Sequence, residues 1–187
     1  MRRYWFVLFL LAVAVVLVCP TSFLNAESAP AWSVYFSPNG GCTDAIVKEL
    51  GNAKSSVYVQ AYSFTSEPIA KALTDAYKRG VKVQTILDKS NRTQKYSAAD
   101  FLLHADIPTY VDAAHAINHN KVMVIDGDAM ITGLFNFMRA VRAAEEKNAE
   151  NLLVIRDKAL AEKYIANWKL HAGHSEPYKG RELKGKQ

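Results

Sequence analysis

The segment between residues 56 and 87 constrains the fold more than any other part of the chain. Residues 56–61 (SVYVQA) and 81–87 (VKVQTIL) are short, apolar and rich in β-branched side chains, which is typical of buried strands. The stretch between them opens with Ser66-Glu67-Pro68, carries its apolar residues on one helical face, and stops at Lys78-Arg79-Gly80. A strand, a helix and a second strand at this spacing predict parallel neighbours in an α/β domain.

Further strands and helices extend this unit in both directions. Asp126-Gly127-Asp128 predicts an antiparallel hairpin between two strands, and Thr43 and Asp157 can each cap a helix. The predicted fold class is therefore α/β, with a mixed, mostly parallel β-sheet flanked by helices. The additional predicted strands are residues 32–36, 108–111, 121–125, 129–132 and 151–155, and an additional helix is predicted over residues 98–104.

The N-terminal region differs from the rest of the chain. Two arginines precede an uncharged apolar run over residues 4–19, and small residues follow around Ala26 and Ser28. This order predicts a secretory signal peptide over residues 1–26, or to residue 28, because the run is shorter than the roughly 20 residues that span a bilayer. An uncleaved membrane anchor is the alternative. We therefore expect an exported protein, either periplasmic or secreted.

The remaining chain predicts one domain over residues 30–173 and a polar, frayed tail over residues 174–187. Cleavage would remove two arginines and no acid, so the formal charge would fall from +5 to +3. A mild positive charge favours polyanionic partners, and it fits nucleic acid and anionic lipid head groups equally well. Only Cys42 would remain, so no disulfide within the chain is expected.

His119 and Lys121 stand at the start of a predicted strand. Residues i and i+2 of a strand point to the same face, so the imidazole and the ammonium would lie side by side. A neutral imidazole can attack phosphorus, and an ammonium can hold the anionic oxygens during displacement. Asn136 can return to the same edge after the hairpin as an amide donor, and Glu150 can orient the imidazole.

Each of these residues also has a plainer interpretation. A His-x-Lys pair at a strand start is common, and Asn136 alone is compatible with a turn. Asp126 lies at the far end of its strand from His119, which favours a turn residue over a reactant. His115 and His119 would form a metal-binding pair only on a helix, which the following strand disfavours. No metal ion and no cofactor is expected.

The pattern His119-x-Lys121, followed by four residues and Asp126, resembles the HxKxxxxD motif of the phospholipase D superfamily. Residues 132–137 (TGLFNF) are similar to that family's Gly-Ser-x-Asn element. Segments at 35–38, 60–65 and 146–151 are similar to the small exported bacterial nuclease branch. The resemblance covers roughly residues 32–168, and it implies an α-β-α sandwich and a metal-independent phosphodiesterase.

The resemblance also implies a role for each matched residue. His119 would form a phosphohistidine, Lys121 and Asn136 would bind the phosphate, and Glu150 would orient the histidine. Asp126 and Gly133 would be structural. The chain has one HxKxxxxD copy where the family's site uses two, which implies a homodimer with a shared active site.

Two departures from the family pattern bear on activity. Leu134 stands where the family has serine; losing one donor from a preorganised site costs roughly 10²–10³ in rate in a comparable case, and the alkyl group could obstruct the phosphate. The segment over residues 138–142 looks longer than the family's link to Glu150 by about three residues, nearly one helical turn. A longer link could displace Glu150.

A basic linker suggests the substrate. Lys89, Arg92 and Lys95 follow a strand's carboxyl end, where ligands bind in open α/β sheets, and they predict a groove wall for a polyanion backbone. Arg139 and Arg142 could extend this wall. The first hypothesis is a non-specific endonuclease acting on DNA or RNA.

Two other functions stay open from the sequence. The second hypothesis is a phospholipase D acting on phosphatidylcholine-type lipids, although no long apolar lid or amphipathic surface helix is evident. Membrane contact is expected only through that substrate or an uncleaved signal. The third hypothesis, motivated by Leu134, is a catalytically impaired nucleic-acid-binding homologue.

Overall fold

The computed structural model describes residues 31–137 and 148–182. The predicted signal peptide, the longer segment at 138–142 with Arg139 and Arg142, and the last five residues lie outside the described residues. In the described ranges, no helix combines the length and apolar character needed to cross a membrane.

The described chain alternates strands and helices in its first half and is mainly β-structure in its second. A 3-10 helix, Lys89–Arg92, directly follows the strand that ends at Asp88. The helices are α1 (Cys42–Asn52), α2 (Glu67–Lys78), α3 (Ala99–His104) and α4 (Lys158–His174). The strands are β1 (Ala31–Ser37), β2 (Ser56–Ala61), β3 (Lys82–Asp88), β4 (Thr109–Asp112), β5 (Lys121–Ile125), β6 (Ala129–Gly133), β7 (Glu150–Arg156) and β8 (Glu176–Pro177).

Across the two described ranges, eight strands form one sheet in the order β1-β7-β6-β5-β2-β3-β4-β8. Only the β2–β3 and β3–β4 pairs are parallel, and the other pairs are antiparallel. The α/β class and the mixed sheet are confirmed, but the prediction of a mostly parallel sheet is wrong. Parallel pairing needs a crossover of about a dozen residues or more, whereas β5 and β6 are joined by a short turn.

Helices cover both faces of the sheet. On one face, α1, α2 and α3 bury Ile46, Leu73 and Leu102 against strand residues such as Val59 and Met123. On the opposite face, α4 packs a smaller apolar cluster against β5 and β6. The indole Nε1 of Trp168 on α4 donates to a β2 carbonyl at 2.8 Å. Because helices pack on both faces, the ends of the strands remain the accessible part of the sheet.

Local sequence signals account for some of the boundaries. Asp126 and Gly127 both adopt positive φ angles, 54° and 76°, in the β5–β6 turn. The Asp157 carboxylate caps α4 by accepting from Leu160 N at 3.0 Å. Thr43 does not cap α1, because that helix already begins at Cys42.

The segment after α4 docks onto the domain, so the expectation of a frayed tail is wrong for its described part. β8 pairs with β4, and the Tyr178 side chain is buried. Tyr178 donates from its hydroxyl to Asp100 at 2.7 Å and from its backbone to Thr109 O at 2.8 Å. These contacts are long-range and carry no periodic signal in a polar sequence.

Candidate active site

The sheet register brings the predicted catalytic residues to the same end of their strands. Val122 pairs with Thr132, which pairs in turn with Leu153, so the adjoining Lys121, Gly133 and Leu152 also form a row across three strands. His119 lies just beyond the start of β5, and Glu150 begins β7 at the same edge. The residues at the open end of the β5–β6 hairpin and at the start of β7 therefore lie close together.

His119 and Lys121 are in direct contact. The Lys121 Nζ lies 3.3 Å from His119 Nε2 and 3.1 Å from the His119 carbonyl oxygen. An ammonium can only donate, so the first contact is a hydrogen bond only when Nε2 is unprotonated. That form of the imidazole carries the lone pair that a nucleophile needs.

Lys121 is buried although it is charged. Its residue is only 6% exposed, and this burial lowers the pKa of the ammonium from its ordinary value of 10.5. The nearby carboxylate of Glu150 opposes that shift. Because the ammonium sits in a poorly solvated position, its charge acts more strongly on a bound anion than a surface lysine would.

Tyr62 forms one wall of the site. Its ring meets the His119 ring edge-on, with centroids 4.9 Å apart, and the Lys121 Nζ lies 5.7 Å from the Tyr62 centroid. The backbone N–H of Tyr62 donates to Asn120 O at 2.9 Å, which extends the β2–β5 pairing past the ends of both strands. Sequence reasoning did not single out Tyr62; its position directly after β2 was the available signal.

Glu150 is positioned through the edge strand. Its N–H donates to Ser37 Oγ at 3.0 Å, and that buried hydroxyl donates to Asn148 O at 2.8 Å. The Glu150 carboxylate influences Lys121 by charge but makes no hydrogen bond with the His119 ring within the described residues. Its predicted role in orienting His119 stays a prediction.

Gly133 and Leu134 form an irregularity between β6 and β7. The N–H groups of Leu134 and Phe135 both donate to Asn151 O, at 3.1 and 3.2 Å, so two residues oppose one as in a β-bulge. Gly133 has φ 148°, and a Cβ there would lie 2.2 Å from the same carbonyl oxygen. Only glycine fits this close approach of two backbones.

The bulge turns Leu134 outward. Its side chain is 65% exposed, whereas Phe135 and Phe137 are buried in the core. The Phe137 carbonyl accepts from Thr65 N at 2.7 Å, which fastens the end of this segment to the chain after β2. Asn136 lies half-buried between the two phenylalanines, with its Nδ2 3.4 Å from Leu134 O. Its amide is thereby held at the same edge as His119.

Asp126 lies at the other end of β5. Its carboxylate accepts N–H groups from Lys54, Ser55 and Ser56 and the hydroxyl of Ser55. Burial alone would raise the pKa of the Asp126 carboxyl, but these donors outweigh it and hold the pKa below its usual value. Asp126 is therefore placed to join the hairpin to the start of β2, away from His119.

A polar network supports the chain immediately before His119. Asn118 is buried; its N–H donates to Asp88 Oδ2 at 2.8 Å, and its Oδ1 accepts from Gln60 at 3.1 Å and from Asn120 at 2.9 Å. This network fixes residues 118–120 against β2 and β3. Sequence reasoning missed it, since its members come from three separate segments.

The three predicted groove cations lie in different settings. Arg92 is bound to the carboxylates of Glu176 at 2.5 Å and Glu182 at 3.5 Å. Lys89 donates to a loop carbonyl at 2.9 Å, and Lys95 is exposed with its Nζ 5.3 Å from the Tyr96 ring centroid. Lys95 and, after a small movement, Lys89 can meet a polyanion, whereas Arg92 is already neutralised.

Comparison with known proteins identifies relatives of this chain. A family model described as "Cardiolipin synthase, PLD-like domain" matches residues 46–170, a range that contains every predicted site residue. Over 136 residues the chain is 46% identical to a phospholipase D of Rickettsia typhi, which covers 73% of this chain and 65% of that protein. The chain thus spans slightly less than two thirds of that relative's length.

Solved structures show the same fold. Nuc of Salmonella typhimurium, described as a phospholipase D family member, superposes with a TM-score of 0.74 at 34% identity, over 82% of this chain and 99% of that chain. NucT of Helicobacter pylori superposes with a TM-score of 0.72 over 80% of this chain and 99% of that chain. At 24% identity, the second likeness concerns the fold alone.

Proposed function

The chain belongs to the phospholipase D superfamily, and we propose that it is a phosphodiesterase that hydrolyses nucleic acid through a phosphohistidine. The observation that carries the proposal is the 3.3 Å contact between His119 Nε2 and the buried Lys121 Nζ at an accessible sheet edge. An unprotonated imidazole nitrogen beside a poorly solvated cation suits attack on an anionic phosphorus centre.

The reaction would proceed in two displacements. His119 Nε2 attacks phosphorus, an N–P bond forms, and the P–O bond to the leaving nucleotide oxygen breaks as that oxygen takes a proton from a second imidazole. Water then attacks phosphorus and returns its proton to the second imidazole, and the N–P bond breaks. Lys121 and the Asn136 amide would hold the non-bridging oxygens in both steps.

The second imidazole would come from His119 of a second copy of the chain. We infer a homodimer with the active site on its two-fold axis, because the described residues hold a single His-x-Lys pair. Apolar side chains next to the site support this arrangement. Ile117 and Leu134 are 59% and 65% exposed, and a partner subunit would cover them.

Nucleic acid is the favoured substrate, since the chain is basic and Lys89 and Lys95 extend from the same region of the sheet. No base-reading element is evident in the described residues, so cleavage should depend weakly on sequence. A phospholipid is the second candidate, favoured by relatives that are named phospholipase D. The predicted signal peptide supports a periplasmic or secreted location.

Plasmid nicking in EDTA tests the proposal. The purified protein should convert supercoiled DNA to nicked circles without added metal, and His119→Ala should lose this activity. At high protein concentration, Leu134→Ser should be at least as active as the wild type. Activity retained by His119→Ala would show that the nucleophile is elsewhere.

Two further results would distinguish the proposed nuclease from the other two candidate functions. Choline release from phosphatidylcholine vesicles without any DNA nicking would favour the lipid substrate. Nicking by Leu134→Ser and none by the wild type, with DNA binding intact in both, would make the natural chain a catalytically impaired nucleic-acid-binding protein. His104→Ala is a matched control, because His104 lies at the end of α3, outside the site.

A further inference from the structure

Four side chains form a second cluster outside the proposed active site. The Asp112 carboxylate, at the end of β4, is fully buried, and its Oδ2 lies 2.9 Å from His115 Nδ1 and 3.0 Å from His171 Nδ1. Its Oδ1 lies 3.5 Å from His174 Nε2. The three imidazole rings also pack on one another, with centroids 4.9–5.2 Å apart.

Three separate parts of the fold create this cluster. Asp112 and His115 come from the end of β4 and the loop after it, and His171 and His174 lie three residues apart in the last turn of α4. The N–H of Ala114 donates to Asp112 Oδ1 at 3.1 Å, which fixes the carboxylate. A donor atom from each of the four residues lies within 4.8 Å of the others.

We propose that these four residues bind a zinc ion. Zinc in proteins takes four nitrogen, oxygen or sulfur ligands in a tetrahedron, at roughly 2.0–2.2 Å for histidine and carboxylate. Such bonds place the donor atoms about 3.3 Å apart, so a separation of up to 4.8 Å closes with modest side-chain rotation. One carboxylate and three neutral imidazoles would leave a net charge of +1 around the ion.

The metal would replace hydrogen bonds that now join the cluster. Each imidazole nitrogen that faces Asp112 must carry a proton to bond the carboxylate, and it must lose that proton to bind a cation. The N–H from Ala114 would remain as an outer contact that orients the carboxylate.

The site would be structural. Protein side chains fill all four positions, and a closed set of ligands is typical of structural zinc, whereas catalytic zinc keeps a position open. It would join β4 to the end of α4 and hold the loop that leads from His115 to His119. The Lys89 ammonium already donates to the His115 carbonyl, so the same loop also contacts the predicted groove. The reaction at His119 needs no part of this ion.

Metal binding to the untagged protein tests the proposal. After treatment with chelator and buffer exchange, the protein should bind one equivalent of Zn²⁺, and Co²⁺ should give the visible absorption of a tetrahedral site. A 100-fold excess of Zn²⁺ over its dissociation constant should raise Tm by about 5–10 °C. His171→Ala and His174→Ala should lose stoichiometric binding and the Tm rise.

The control is His104→Ala, whose side chain is outside the cluster, and it should bind Zn²⁺ like the wild type. Circular dichroism of each variant shows that it is folded. Less than half an equivalent of Zn²⁺ in the wild type, or unchanged binding in both α4 variants, would overturn the proposal and leave a hydrogen-bonded carboxylate–imidazole cluster. DNA nicking in EDTA at 25 °C is a separate readout, so either proposal can fail without the other.

Discussion

The substitution Asp126→Asn distinguishes a scaffold from a reactant at the acid of the HxKxxxxD pattern. Asp126 lies in the β5–β6 turn, at the opposite end of β5 from His119. Its two oxygens accept hydrogen bonds from four donor groups of residues 54–56, at 2.7–3.0 Å. Asparagine keeps the shape of the side chain but replaces one acceptor oxygen with a donor, which would face a backbone N–H.

The hydrogen bonds set the magnitude of the effect. A bond to a charged acceptor contributes about 1.5–3 kcal/mol, against about 0.5–1.5 kcal/mol for a neutral one. Asparagine loses one bond and weakens the others, but these bonds are mostly solvent-exposed, so we expect a loss of about 2 kcal/mol in the free energy of unfolding. For a chain of this size, Tm should fall by about 4–8 °C.

The loss of unfolding free energy in Asp126→Asn should depend on pH. The folded-state pKa of the Asp126 carboxyl lies below its ordinary value of 3.8, so the carboxylate's contribution is complete above that value. It disappears as the pH falls through the folded-state pKa, where the protonated side chain resembles asparagine. The wild type and Asp126→Asn should therefore differ fully at neutral pH and converge below pH 3.8.

Urea unfolding followed by circular dichroism, at pH 7 and at acidic pH, measures this difference. The control is Asp128→Asn, because Asp128 lies in the same turn, is exposed, and makes no side-chain hydrogen bond within the described residues. Equal unfolding midpoints for Asp126→Asn and the wild type at pH 7 would refute the scaffold role. A loss of more than tenfold in nicking per folded molecule would instead assign Asp126 to the reaction.

Four further substitutions test other parts of the structure. Gly133→Ala should lower the free energy of unfolding by about 1–3 kcal/mol in urea titrations, since its Cβ would meet Asn151 O at 2.2 Å. Burial lowers the pKa of Lys121 below 10.5, so the ammonium loses its proton as the pH rises through the lowered pKa. The rate of nicking should therefore fall on the alkaline side of the pH–rate profile. Lys121→Arg should remove this alkaline fall from the activity that remains, because arginine stays protonated. Lys95→Ala should reduce the salt dependence of DNA binding by roughly one ion, whereas Arg92→Ala should change it little, because its guanidinium is already paired.

Local patterns predicted the fold where a short segment determines its own structure. The strands at 56–61 and 82–88 and the helix between them follow from periodicity, a proline start and a glycine stop. Strand direction could not be predicted from local patterns, because β5 pairs with β2, which lies far away in the sequence. β8 has only two residues and exists through its pairing with β4.

The same distinction applies to the two clusters of candidate functional side chains. His119 and Lys121 are two residues apart on one extended segment, so the sequence alone predicts their contact. Asp112 and His171 are 59 residues apart and meet only when the last turn of α4 reaches the end of β4. No local pattern around His171 therefore predicts this cluster, although its side chain is only 17% exposed.

Leu134→Ser should change activity and dimer affinity in opposite directions. The Leu134 side chain is 65% exposed on the bulge, and fully burying a leucine contributes about 1.5–3 kcal/mol, so a partner that covers it would gain about 1–2 kcal/mol for each subunit. Serine would give up this gain twice, which weakens the dimer by roughly 30- to 700-fold, while its hydroxyl restores a phosphate donor.

The concentration dependence of nicking separates these two effects. If the site is shared between subunits, the specific activity of Leu134→Ser should exceed that of the wild type at high protein concentration and fall below it on dilution, in step with the dimer fraction from light scattering. A constant ratio of the two activities across that range would place Leu134 outside any subunit interface. Full wild-type activity in a strict monomer would refute the shared site, since a single chain then supplies both the nucleophile and the acid.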